Sequence, residues 1–548
     1  MKKLGTEKNL MGKFFESVGK YIRKKYKFLI MFFLAFLALS ALSFFKVSTS
    51  ESISNFSLSD FEIGQVADRN ITANKTLAPD EMEPFAIQKG EKIIKKGFPI
   101  TEEAYGKLRK MSSSPLYIDY RAFANSVLYL FLISCAWYLL FSFLPFNRKI
   151  TLQEPLLEAV FFLLVYGCVA FGGKVSLFSD PYSLCIIIPS CLCVMITTIL
   201  YGQLSAVIFS FILSLGVLSA GGWELVPSLF TLASSLTSVA IVRKIERRLD
   251  LVLASLMLAF FNIVYMIVGI VIFNDSLQDK GPIILGILAN GFLSGILTLG
   301  FLTPLEYMLN SASVFRLMDL SDLNNALMKK MLVTASGTYN HSLMVAQLAE
   351  SACREIKANF LIARVGAYYH DIGKIDQSEY FVENQKGENK HDTINPTLSA
   401  TVIKSHVKKG VEKAHQLHLP NAIIDIISEH HGNSVIAYFY NEAKEKDPTL
   451  TPEDFSYPGN PPTTRESAIV MLADTVEAAC RTLENPSVTR LEKFITQLVN
   501  SKVEHGQLDN CDLTFRDISK IKEAFVQILA GYYHSRIEYP DQEDPDKK

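Results

Sequence analysis

Histidine is missing from the first 340 residues of this 548-residue chain; all ten lie beyond them. An imidazole-based metal or acid–base site is therefore excluded from most of the sequence and confined to its C-terminal part. An excess of charge of either sign is missing too. Lys and Arg total 54 against 55 Asp and Glu, a formal net charge of −1, which removes the case for nucleic-acid binding through bulk charge. No cysteine falls between residues 48 and 120, so that segment has no disulfide to form in an oxidising compartment. Cys191 and Cys193 are separated by a single leucine, a spacing that fits no zinc motif, and read as small apolar side chains.

Charge is scarce again in a series of long apolar runs. A basic N-terminal stretch of 27 residues precedes the uncharged run Phe28–Phe45. That run is longer than a signal-peptide core and no small-x-small cleavage site follows, so it reads as a retained anchor with a cytoplasmic N-terminus. Seven more segments follow, at Phe123–Leu144, Leu156–Phe171, Leu184–Leu200, Leu204–Leu218, Val226–Val242, Leu251–Phe273 and Ile283–Leu302. Most approach the ~20 residues that cross ~30 Å of hydrocarbon. Leu204–Leu218 is short, with Gly202 and Gly221 at its flanks. Arg148 and Lys149 follow the second run; Arg243, Lys244, Arg247 and Arg248 follow the sixth. The positive-inside rule then predicts eight spans with both termini in the cytoplasm. Glu158 and Glu224 sit at span edges and read as interfacial carboxylates. No cluster of charges runs through the spans, which disfavours a transporter.

Residues 48–120 are polar, with a β-forming stretch at Phe61–Ala73 and a following amphipathic helix. They are expected to form a short, mixed α/β extracytoplasmic domain. The expected division is 1–47 for the basic N-terminus and first span, 48–120 for the external domain and 121–303 for the seven-helix membrane domain. A helical linker at 304–334, a helical C-terminal domain at 335–540 and a disordered tail at 541–548 complete it.

What the C-terminal part does contain is an ordered set of metal-ligand side chains: His341, His370–Asp371, His406, His430–His431 and Asp474. Imidazole and carboxylate groups build Zn, Fe and Mn sites. Each lies in or at the end of an apolar run of helical period, and helices hold ligands rigidly. Adjacent residues such as His370 and Asp371 point about 100° apart on a helix. They suit a carboxylate shared between two ions better than chelation of one. His341, His370, Asp371 and Asp474 then hold one ion; Asp371, His406, His430 and His431 hold the other. Two ions about 3.5–4 Å apart make a water nucleophilic near neutral pH and stabilise charge on a phosphoryl oxygen. Arg364, Arg465 and Arg481 are candidate phosphate clamps, because guanidinium matches phosphate geometry. Asn384 and Gln385 are candidates for a base pocket. Tyr368, Tyr369, Tyr438 and Tyr440 read as core packing before adenine stacking.

The tail so described resembles the HD-domain phosphohydrolase superfamily, most closely the seven-transmembrane HD family of bacterial cyclic-di-AMP phosphodiesterases. The segments that carry the resemblance are SGTYNHSL, RVGAYYHDIGK, YFVENQ, SHV, EHHG, YPGNPP, LADTVEAACR and HSRIEYP. It implies an all-α fold, with a polytopic helical membrane domain followed by a cytoplasmic all-helical HD domain. It implies a multi-pass protein of the bacterial cell (inner) membrane. It also implies two divalent transition-metal ions, Mn or Fe, held by the seven residues named above, and hydrolysis of cyclic di-AMP to linear pApA. Asp371 and Lys374 are the implied catalytic residues, Lys374 resembling a lysine that helps position phosphate. Lys374, Asn384, Arg364 and Arg481 are the expected substrate contacts.

The expected partners are a cyclic dinucleotide, the lipid bilayer, an unidentified extracytoplasmic ligand and a second copy of the chain in a homodimer. No nucleic acid polymer is expected. Enzymes that cleave cyclic di-GMP carry a Gly-Tyr-Pro after the paired histidines; here EHHG runs into NSVIAYFY, which argues against that substrate. The chain departs from the family's usual pattern at Ser336, at Asn325–Ala326 and in its short external domain. These departures bear on sensing more than on chemistry. An HD hydrolase of another nucleotide, or a nucleotide-binding membrane receptor without turnover, is the alternative.

Overall fold

Hydrocarbon offers no partner for backbone N–H and C=O groups, so long uncharged runs become helices that satisfy those groups internally. The computed structural model describes residues 25–44, 58, 61–73, 76–79, 84–112, 120–144, 150–173, 175–178, 180–243, 245–275, 280–385, 387–483 and 486–534. The basic N-terminal residues before Lys25, Arg148, Lys149, Lys244 and the 541–548 tail lie outside them, as does the end of HSRIEYP. The chain divides into two units at Leu302–Thr303.

Among the described residues, seven helices are long and apolar enough to cross a membrane. They are α1 (Lys25–Ser43), α3 (Phe123–Phe143 within Tyr120–Phe143), α4 (Gln153–Gly172), α7 (Gln203–Ala220), α8 (Leu225–Val242), α9 (Arg248–Ile272) and α10 (Gly281–Met308). The expected span Leu184–Leu200 is not one straight helix. It is a pair, Pro181–Ile187 (α5, Pro181–Leu184, with a 3-10 turn) and α6 (Ser190–Tyr201), bent by 43°. Pro189 lies at the break and contributes no N–H. The carbonyls of Ile186 and Ile188 are recovered by Asn290 Nδ2 at 2.8 and 3.1 Å. The count of eight therefore holds only with the bent pair taken as one span. By contrast, the short Leu204–Leu218 run is a full helix between its flanking glycines. Gly291 and Gly295 let α10 close on α9: a Cβ at Gly291 would lie 2.7 Å from Ala259 Cα, the small-xxx-small packing used where lipid supplies no hydrophobic drive.

Glu158, expected at an interface, is enclosed by protein, with Trp137 Nε1 donating to it at 3.2 Å. Glu154, one turn earlier, is also buried and accepts from Ser205 at 2.5 Å. The small polar segment folds around Phe61, Ile71, Ile87, Ile94, Ile100, Leu108 and Met111. It pairs β1 (Ile71–Thr72) antiparallel with β2 (Lys92–Ile94) and adds the amphipathic α2 (Glu102–Ser112).

The second unit is helical. The expected linker is two short helices, α11 (Val314–Leu320) and α12 (Ala326–Thr334). Their Leu317, Met328 and Met331 are packed into a core with Leu361, Val365, Tyr369, Ile372, Ile423 and Ile427. Asn325 at the Asn325–Ala326 departure caps α12 by accepting from Met328 N at 2.9 Å. The remaining helices are α13 (Ser336–Glu355), α14 (Phe360–Tyr369), α15 (Pro396–Gln416), α16 (Asn421–Glu429), α17 (Ala437–Lys446), α18 (Arg465–Cys480), α19 (Val488–Glu504) and α20 (Phe515–His534). A second core joins Val345, Ala349 and Ala352 of α13 to Ile469, Leu472 and Val476 of α18, with Leu491, Ile495 and Phe525. Each of the valine, leucine, isoleucine and phenylalanine side chains contributes about 1.5–3 kcal/mol on full burial. Helix α18 is buried along most of its length, which makes it a rigid carrier for whatever it projects.

Candidate metal centre

Three helices and two helix ends bring the seven histidine and aspartate residues together. Helix α13 carries His341, α15 carries His406 and α18 carries Asp474. Helices α14 and α16 stop one residue earlier than the apolar runs imply: His370 and His430 are C-caps, and Asp371 and His431 lie beyond. Asp371 (φ −106, ψ 15) has left the helix, so the pair His370–Asp371 is splayed by the chain's turn. The turn is possible because residue 373 is glycine. A Cβ there would lie 1.9 Å from His406 O and 2.6 Å from Gly410 N. Glycine commonly ends a helix; here its larger role is to let Ile372–Tyr380 lie directly on α15.

Asp371 is the centre of the group and is 1% exposed. Its Oδ2 faces His370 Nε2 at 3.2 Å and His341 Nε2 at 3.7 Å. Its Oδ1 faces His406 Nε2 at 3.4 Å and His430 Nε2 at 3.8 Å. Asp474 Oδ1 lies 3.0 Å from His341 Nε2 and 3.8 Å from His370 Nε2; its Oδ2 lies 3.5 Å from His431 Nδ1. Ligand atoms fall within 4.8 Å of one another in three sets: His341–His370–Asp474, His406–His430–His431, and His370–Asp371–His430.

The imidazoles are oriented from behind. Nδ1 of His370, His406 and His430 each donates to the carbonyl three residues earlier, on Ala367, Ile403 and Ile427, at 2.7, 2.6 and 2.8 Å. Their Nε2 lone pairs therefore face the cluster, as a metal-binding histidine requires. Burial pushes His406 down to about 4 and His430 to about 3, so both are neutral at ordinary pH. Burial pulls His370 down too, but the adjacent Asp371 carboxylate overcomes it and holds the imidazole above its usual range. Asp371 shows the reverse balance. Burial raises its carboxyl, and His370 with Lys374 holds it well below the usual carboxylate range. His370 Nε2 and both Asp371 oxygens are buried without a well-formed hydrogen bond, although Lys374 Nζ is an ion-pair partner 2.7 Å from Oδ2. Acceptors buried against one another, as Asp371 Oδ1 is against the Nε2 lone pairs of His406 and His430, are costly unless a cation joins them. This donor set fits a metal.

Lys374, half-buried, lies among carboxylates, with Glu383 Oε1 at 3.1 Å. Burial opposes its charge, and Asp371 and Glu383 more than restore it, so the ammonium is held above its ordinary range. Other expected substrate contacts have partners within the fold. Arg364 is ion-paired to Glu350 through two guanidinium nitrogens and lies over Phe360. Arg481 donates to both Glu477 oxygens at 2.6 and 2.8 Å. Asn384 exchanges hydrogen bonds with Thr338, at 3.1 Å to its N–H and 2.8 Å to its hydroxyl. Arg465 pairs with Asp517, and Gln385 donates to Asn389 Oδ1. Tyr369 is core packing, as expected, its hydroxyl donating to Leu320 O.

Glu477 was not among the sequence candidates. It is bonded to His341 Nδ1 and does for that ring what a carbonyl does for the other three. A signal was present: it lies three residues after Asp474, on the same face of one helix. Lys502 was missed as well. Its Nζ donates to Ser434 Oγ at 2.9 Å beside the paired histidines, and burial lowers its pKa.

Apolar spans and a helical unit with a buried His/Asp centre define a polytopic membrane protein with a metal-dependent hydrolase unit. Comparison with known proteins agrees. A family model for the HD domain matches residues 338–479, and one for the 7TM receptor with intracellular HD hydrolase matches residues 122–313. The cyclic-di-AMP phosphodiesterase PgpH of Bacillus subtilis (strain 168) is 33% identical over 486 residues, covering 86% of this chain and 67% of the relative. The protein of the same name from Listeria monocytogenes serotype 1/2a (strain 10403S) is 30% identical over 521 residues, covering 92% of this chain and 71% of the relative. The solved HD domain of L. monocytogenes PgpH in complex with cyclic-di-AMP is 43% identical and covers 39% of this chain and 100% of that one, with a TM-score of 0.38. The chain belongs to the family of seven-transmembrane proteins with an intracellular HD hydrolase domain.

Proposed function

We propose that this chain is a membrane-anchored phosphodiesterase that hydrolyses cyclic di-AMP to linear pApA, using two divalent ions, Mn or Fe. The observation that carries the reading is Asp371, whose two oxygens address His341 and His370 on one side and His406 and His430 on the other. His341, His370, Asp371 and Asp474 would hold one ion; Asp371, His406, His430 and His431 would hold the second. When bound, the ions supply an activated water and positive charge for a phosphoryl oxygen. The chain's own residues do the rest. Backbone carbonyls and Glu477 fix four imidazole planes, so the ligands need little reorganisation. Lys374 is a half-buried cation fixed beside Asp371 and neutralises charge on the phosphate. The cyclic dinucleotide named for both relatives supports this substrate class. Segment 48–120, as an extracytoplasmic domain, would bind the ligand that regulates turnover, and a homodimer fits the same reading.

The test uses the full chain in detergent, loaded with Mn²⁺ or Fe²⁺ and incubated with cyclic di-AMP. The expected product is pApA, lost in Asp371→Asn and in His406→Ala. Absence of pApA at full metal occupancy rejects the substrate.

A further inference from the structure

Four of the five clustered imidazoles are held by a hydrogen bond behind the ring, from a carbonyl or from Glu477. Among the described residues, no such bond holds His431, whose side chain at 23% exposure is the most open of the five. The carbonyl three residues before it, Ser428 O, is covered from another direction: a Cβ on Gly459 would lie 2.7 Å from it. What lies against His431 is an aromatic ring. Tyr457 stacks on it with centroids 4.3 Å apart and planes at 26°, and meets His406 edge-on at 6.0 Å and 80°.

We infer that Tyr457 is the positioning residue for His431, fixing by ring stacking the plane that hydrogen bonds fix in the other four. The inference rests on the ligand reading of His431 given above. The loop that delivers the ring is itself pinned. Tyr457 N donates to Ser434 O at 3.0 Å and Ile436 N to Phe455 O at 3.0 Å. Val435 and Ser456 form an antiparallel bridge. Glycine at 459 lets the chain pass within contact of Gly432 O, 2.8 Å from where a Cβ would stand. The YPG segment is thereby clamped to the turn that follows the paired histidines. An offset aromatic stack restricts ring rotation, and a metal-bound imidazole must keep its plane. The tyrosine hydroxyl has no part in this role.

The experiment measures Mn²⁺ affinity of the full chain in detergent, by titration of metal-stripped protein, for wild type, His431→Ala, Tyr457→Leu and Tyr457→Phe. Tyr457→Leu is expected to weaken binding about 10–100-fold, the effect of losing a supporting partner, and by a factor similar to His431→Ala. Tyr457→Phe keeps the ring and is expected to bind as wild type does. Should the leucine variant fail to fold, Gly459→Ala displaces the loop with the ring intact and is expected to weaken Mn²⁺ binding too. Wild-type affinity in Tyr457→Leu, or a loss in Tyr457→Phe equal to that in the leucine variant, overturns the inference. Unchanged affinity in His431→Ala overturns instead the ligand reading beneath it.

Discussion

Replacing Gly373 by alanine tests whether close backbone contact assembles the centre. The added Cβ would stand 1.9 Å from His406 O, where ordinary contact begins at 3.4 Å, so about 1.5 Å of separation must be found. The obstacle is the backbone of α15, with Gly410 N at 2.6 Å, and no side chain can rotate away to relieve it. Helix α15 carries His406, whose Nε2 lies 3.4 Å from Asp371 Oδ1. Separation of the 372–380 segment from α15 therefore pulls that imidazole from the Asp371 carboxylate. Overpacking of this kind costs about 1–3 kcal/mol, a fall of roughly 2–4 °C in Tm per kcal/mol for a unit of this size. Misplacement by ~1 Å costs about a hundredfold in rate. The Gly373→Ala chain should thus remain folded with a Tm lower by several degrees, while cyclic di-AMP hydrolysis falls at least a hundredfold. Gly387→Ala is the control, because nothing lies within 4 Å of its Cβ. Wild-type turnover by Gly373→Ala at full metal occupancy would refute the reasoning, since it would mean that the His406–Asp371 spacing does not limit the chemistry.

Glu477→Gln removes the carboxylate behind His341; metal affinity measured by titration should drop about 10–100-fold while the metal-free Tm moves little. Lys374→Met deletes the half-buried cation paired with Asp371 and Glu383; kcat should fall on the order of a hundredfold, comparable to losing one fixed charge-stabilising donor, and Lys374→Arg should recover only part of it. Glu350, bonded to Arg364 and Arg354, is raised by burial but held below its ordinary carboxylate value by the two guanidiniums. A depressed carboxyl contributes stability above the unfolded-state pKa and loses it as pH falls through the folded one. Wild type should therefore exceed Glu350→Gln by up to about 1 kcal/mol near pH 7, since solvent screens these partly exposed pairs, with the gap closing below about pH 4. Paired thermal melts at both pH values check the sign.

Periodicity and composition made much of this protein legible before any fold was known. Histidine confined beyond residue 340, uncharged runs of membrane length and the order of seven candidate ligands are properties of the chain alone. They identify helices, spans and ligand chemistry, because hydrophobic spacing and side-chain type act locally. Other features depended on what packs against what. Pro189 was visible, but whether a proline bends a span depends on a neighbour such as Asn290 that recovers the freed carbonyls. Glu158 lies near a span edge in sequence and is buried in three dimensions by Trp137. Arg364, Arg481 and Asn384 had the right chemistry for phosphate or base, yet Glu350, Glu477 and Thr338 hold them, partners 14, 4 and 46 residues away. Type and order of the candidate ligands are written along the chain. Which atom each one faces, and what stands behind it, follow from contacts between residues far apart in sequence, and only the folded chain decides those.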